Sequence, residues 1–80
     1  MEKDNSKYWR IDVTNPHHES DGYSLCVKTD KNETDDTIID LCLENEYIDK
    51  FEYNNFYIHA EEITNDPYEM EHWQNDANEV

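Results

Sequence analysis

Two groups of side chains in this sequence have the types needed to hold a metal ion. His17, His18 and Glu19 are consecutive, and His59 lies next to Glu61 and Glu62. Neither group has the H-E-x-x-H or paired C-x-x-C spacing that brings ligands together on one face. A calcium loop fails on inspection too. D-x-N-x-T-x-D runs from Asp30 to Asp36, but the sixth position is Asp35 where glycine is required. The twelfth is Leu41, where a bidentate glutamate is required. Cys26 and Cys42 each sit in an apolar run, which raises a thiol's pKa and makes it a poor nucleophile. The single glycine, Gly22, rules out a glycine-rich phosphate cradle. The sequence therefore predicts no catalytic residues, no metal site and no cofactor.

What remains is the acidity. The 80 residues carry 21 Asp and Glu against 6 Lys and Arg, a formal net charge of -15. A small domain needs a net charge of only about 2–8 for solubility, so this excess calls for another use. Such a charge also disfavours binding to nucleic acid or to anionic membranes. Residues 1–50 hold all six basic residues, whereas residues 51–80 hold eight acidic residues and no Lys or Arg. Carboxylates on alternate strand residues lie about 6.6 Å apart, and those four apart on a helix about 6 Å. Both distances are close to the phosphate spacing of a nucleic-acid strand. The candidate array is Asp35, Asp36, Asp40, Glu44 and Glu46, with Glu61, Glu62, Asp66, Glu69 and Glu71. Tyr53, Tyr57 and Tyr68 are candidate aromatic anchors, since interfaces concentrate energy in such residues.

These residues need elements to position them. Tyr8–Thr14 alternates, with Trp9, Ile11 and Val13 on one face, and Tyr23–Thr29 alternates with Tyr23, Leu25 and Val27. That period of two predicts an antiparallel hairpin, closed by the long turn-rich connection Asn15–Gly22. Thr34 or Asp35 begins a helix over 35–44, with Ile38, Leu41 and Cys42 as the buried stripe and Asn45 as the left-handed residue that ends it. Tyr47, Ile48 and Phe51 are expected to pack beneath the next turn. Phe56–Ile63 is the third strand, and Ile48–Tyr53 is a candidate fourth that pairs with it. Asp66-Pro67-x-Glu69 starts a second helix running to about Asn75, with Met70 and Trp73 inward. The fold expected is α+β, a small antiparallel sheet of three strands, or four, packed by one or two short helices in the order β-β-α-β-α. Residues 1–80 form one domain, with 1–6 and 76–80 flexible. The aromatic content argues against the disorder that high charge and low hydropathy otherwise imply.

In size, charge and its mix of strands with short helices, the chain resembles the small acidic inhibitors, encoded by phages and mobile elements, that occupy nucleic-acid-binding surfaces. Anti-CRISPR and anti-restriction proteins are of this kind. No residue motif carries the resemblance. It implies an acidic binding protein that inhibits a basic nucleic-acid-binding protein, a CRISPR effector or another DNA-handling enzyme, by presenting carboxylates in place of phosphates. The runner-up is an antitoxin-like or regulatory module for a basic partner, and a small metal-dependent enzyme comes third. The polar Met1–Lys7 lacks the apolar region of a signal peptide, and no stretch could span a membrane. The expected location is cytoplasmic, the host cytoplasm if a phage encodes the chain, with both cysteines buried and reduced.

Overall fold

A computed structural model describes residues 6–30 and 32–79. Two strands, β1 (Lys7–Asn15) and β2 (His18–Thr29), form an antiparallel hairpin. Helices α1 (Asp35–Glu44) and α2 (Lys50–Asn55) follow, then strand β3 (Tyr57–Glu62) and helix α3 (Pro67–Trp73). A 3-10 turn (Gln74–Asp76) leads into a two-residue strand, β4 (Asn78–Glu79). The sheet order is β3-β1-β2-β4, which makes this an α+β fold with four strands.

Alternation in β1 sets the layers. Trp9, Ile11 and Val13 are buried together with Val27 of β2, Ile38 and Cys42 of α1, and Ile48. Thus α1 covers one face of the hairpin. Burial there includes one polar bond that the core must satisfy: the Trp9 indole N–H donates to Thr29 Oγ1 at 3.0 Å. Arg10, Asp12, Ser24 and Cys26 occupy the other face, where α3 and the 3-10 turn lie. Cys26 and Cys42 are both free and buried.

Several expectations change in the structure. The hairpin connection is short, not long: Pro16 and His17 make the turn, and the His17 N–H donates to Asn15 Oδ1 at 2.9 Å. The surplus residues of NPHHESDG are absorbed as a register shift, because Val13 pairs with Tyr23 while Asn15 pairs with His18. Gly22 is required at this bulge, since a Cβ there would lie 2.6 Å from the Val13 carbonyl oxygen.

The segment proposed as a fourth strand, Ile48–Tyr53, is instead mostly helix α2. Asp49 caps it: Asp49 Oδ1 accepts from the Glu52 N–H at 2.7 Å, and Glu52 Oε1 accepts from the Asp49 N–H at 3.0 Å. The actual fourth strand is β4, parallel to β2 at Val27 and Lys28, so the sheet is mixed rather than wholly antiparallel. Asn78 and Glu79 thus belong to the stretch expected to fray, whereas Val80 and residues 1–5 of the expected lead-in lie outside the described residues.

The end of α1 also differs in detail. Asn45 has φ -90°, and the left-handed residue is Glu46 at φ 65°. Here the Glu46 N–H donates to the Leu43 carbonyl at 3.1 Å and the Tyr47 N–H to the Cys42 carbonyl at 2.9 Å. That double bond pattern is the Schellman motif, which satisfies carbonyls that the helix end would leave bare.

Candidate protein-binding surface

The candidate carboxylates fall on two different sides of the sheet. Asp35 and Asp36 stand in the first turn of α1, where the helix dipole favours negative charge. Asp36, Asp40 and Glu44 then follow at intervals of four, all exposed, forming one row along the helix. Like charges at that spacing destabilise a helix by about 0.2–0.5 kcal/mol per pair. Glu44 is placed against the negative end of the dipole as well. Among the described residues no Lys or Arg lies within 4.0 Å of a carboxylate in this row. Glu46, exposed, continues the acidic surface past the helix end.

The second group has a different character. Arg10 projects from β1 into the acidic residues of β3 and α3. Its guanidinium donates to Glu69 Oε2 at 2.9 Å, Asp12 Oδ2 at 3.1 Å and Glu61 Oε1 at 3.3 Å. Burial works against the Arg10 charge, but the bonds to Glu69 and Asp12 outweigh it and hold the pKa above its ordinary value. Glu69 is engaged a second time, accepting from the Trp73 indole N–H at 3.1 Å. Glu62 does not belong to this side: it pairs with Trp9 in the β1–β3 register, so it lies on the α1 face, 4.0 Å from the Lys7 ammonium. Asp66 is occupied as the cap of α3, where its Oδ1 accepts from the N–H groups of Tyr68 and Glu69. Glu71 is exposed. The absence of Lys and Arg from residues 51–80 therefore does not leave Glu61 and Glu69 uncompensated, because β1 supplies Arg10.

The aromatic candidates divide in the same way. Tyr57 is 71% and Tyr68 86% exposed, both on the Arg10 side. Tyr53 belongs to the α1 side and donates its hydroxyl to Asp40 Oδ1 at 3.1 Å, a bond that raises the phenol's pKa. Phe51 was expected to pack beneath a turn with Tyr47 and Ile48. Ile48 is indeed buried, but Phe51 is 65% exposed. It meets Phe56 edge-on, with ring centroids 5.8 Å apart. The signal that could have found it is the Asp49-x-x-Glu52 spacing, which starts α2 and turns Phe51 outward in its first turn.

Between α1, α2 and β3 opens a cleft of about 340 Å³. Its walls are Asp35, Asp36, Ile39, Asp40, Tyr53, Phe56 and Ile58. Of the histidines, His17 is in the hairpin turn, His18 starts β2, and His59 is on β3, 3.6 Å from Glu61 Oε1. Among the described residues no three His, Cys, Asp or Glu side chains gather to hold a metal ion. No helix in those residues is long and apolar enough to cross a membrane. No protein-family model, no curated protein and no solved structure matches the chain.

Proposed function

We propose that the protein is an acidic binding protein that inhibits a basic nucleic-acid-binding protein, its carboxylates meeting the Lys and Arg residues that otherwise hold phosphates. A CRISPR effector or another DNA-handling enzyme has the required chemistry. The reading places the contact on α1 rather than on the C-terminal side. The observation that carries it is the row Asp36, Asp40 and Glu44, which disfavours its own helix and has no Lys or Arg within 4.0 Å among the described residues. Charges that weaken the element bearing them are explained by an external partner. Glu61 and Glu69, by contrast, already have one in Arg10. Exposed aromatics beside the row add the contacts in which interface energy is usually concentrated.

The test is affinity capture of a basic partner followed by competition. Wild-type protein should retain a basic nucleic-acid-binding protein, and excess duplex DNA or RNA should displace it. Asp36→Lys, Asp40→Lys and Glu44→Lys together should abolish capture while circular dichroism stays native. Association should also slow steeply with salt, as expected for electrostatically steered encounter. Simultaneous binding of the partner and its nucleic acid without interference would overturn the reading, as would normal capture by the folded triple variant.

A further inference from the structure

The exposed aromatic patch on α2 continues into the cleft beside it. Phe51 contacts Phe56, and Phe56 lines the cleft with Ile39 and Ile58. Ile39, Phe56 and Ile58 pack on the core yet are only partly buried, so the apolar surface they leave exposed adjoins the Phe51 ring, itself 65% exposed. The cleft volume, about 340 Å³, is at the small end of the range of about 300–1,000 Å³ typical of ligand pockets. That suits one side chain better than a helix or a strand. Three carboxylates share this lining: Asp35, Asp36 and Asp40. The Tyr53 hydroxyl fixes Asp40 through Oδ1, which leaves Oδ2 to accept a bond from outside.

We propose that this cleft is a socket for an arginine side chain of the protein partner, a refinement that rests on the basic-partner reading above. Charge complementarity excludes an acidic occupant, and the apolar part of the lining favours one with an aliphatic stem. Arginine fits both demands better than lysine. Its methylenes cover Ile39 and Ile58, its planar guanidinium stacks on an aromatic face, and its fork of N–H donors suits a carboxylate. Asp40 is the principal acceptor. Asp35 and Asp36 lie at the positive end of the α1 dipole, which weakens their pull on a cation, whereas Asp40 is a full turn further on.

Titration of the isotope-labelled protein by NMR, with acetyl-Gly-Arg-Gly-amide and its lysine counterpart as probes, tests the socket directly. Shifts should concentrate at Ile39, Asp40, Tyr53, Phe56 and Ile58. The arginine peptide should bind at least about threefold more tightly than the lysine peptide. Asp40→Asn should weaken the arginine peptide by about fivefold, whereas Asp21→Asn, an equal change of net charge at the hairpin, should leave it unchanged. Tyr53→Leu keeps the charge and should remove the preference for arginine, so the proposal does not depend on one variant folding. Equal response to both peptides, shifts spread over α3, or no shift at the cleft up to about 10 mM peptide would each overturn it. The two readings fail separately. Peptide in the cleft without nucleic-acid-competitive capture leaves the socket standing alone. Competitive capture with an empty cleft removes the socket and leaves the partner reading intact.

Discussion

Cys26 and Cys42 show how a buried residue links the fold to pH. Cys42 is held by burial at a pKa of about 11, above the ordinary 9.0. Cys26 is also raised to about 11, chiefly by burial, with a backbone hydrogen bond from Trp9 offsetting part of the effect. A group whose folded pKa exceeds its unfolded value gives stability that is complete below the unfolded pKa and lost as pH rises towards the folded one. In the unfolded chain both thiols ionise near pH 9, while in the folded chain they stay protonated. Stability should therefore fall as pH increases from about 9 to about 11. Urea midpoints measured under reducing conditions check this. Cys42→Ala should flatten the decline, which separates the thiols from other groups that titrate at high pH. An unchanged slope in that variant, or rapid labelling of native thiols at neutral pH, would contradict the burial of Cys42.

At the scale of elements, Arg10 joins β1, β3 and α3 through one guanidinium. The element it secures is short: α3 has seven residues and no buried side chain. Its own cap, Asp66, and the Arg10–Glu69 pair hold it against the sheet. Arg10→Met should lower stability by about 2 kcal/mol, the value of hydrogen bonds made to charged groups. It would also leave Asp12, Glu61 and Glu69 facing one another without a cation. Amide hydrogen exchange should show α3 losing protection while α1 keeps its own. Equal protection of α3 in the variant would mean that packing of Met70 and Trp73, rather than Arg10, holds the helix.

The same scale shows which features were legible in the sequence. Alternation placed Trp9, Ile11 and Val13 on the core face because a half-buried strand has a period of two. Asp66-Pro67 marked the start of α3 because the cap and the first helical position have sharp chemical requirements. Helix α2 was missed because six residues are too few for a helical period to show, although Asp49 and Glu52 carry its cap. The shift of the left-handed residue from Asn45 to Glu46 depends on where the last turn of α1 closes, which is set by how Tyr47 and Ile48 pack. Alternation puts Arg10 and Asp12 on one face of β1, but the pairing of Arg10 with Glu61 and Glu69 was not legible. The two glutamates lie 51 and 59 residues from Arg10 in sequence, and only the β1–β3 register brings Arg10 opposite Glu61. The candidate site was accordingly legible as a set of charges but not as two surfaces.

The whole molecule is elongated, with principal extents of 47 × 25 × 17 Å. A shape this thin cannot bury many charges, so its net charge of -15 is spread over the surface. Mutual repulsion then opposes compaction. At about 0.01 M salt the Debye length is about 30 Å and repulsion acts over most of the protein; at higher salt it does not. The thermal midpoint should therefore rise between about 0.01 M and about 0.5 M NaCl. Screening also weakens the Arg10 contacts, but these are few and short-range, so the net effect should be stabilising. A midpoint that falls over this range would mean that internal ion pairs outweigh the repulsion between carboxylates.

The two tryptophans are divided between the layers, and this gives the protein a pair of optical reporters. Trp9, only 4% exposed and bonded to Thr29, reads the packed interior beneath α1. Trp73, half-buried and bonded to Glu69, reads the side of the sheet where Arg10 lies. A soluble quencher reaches the second far more easily than the first. A partner seated on α1 leaves Trp73 open to quenching, whereas one seated on α3 shields it. Emission from an unlabelled sample thus distinguishes the two faces on which a ligand can land.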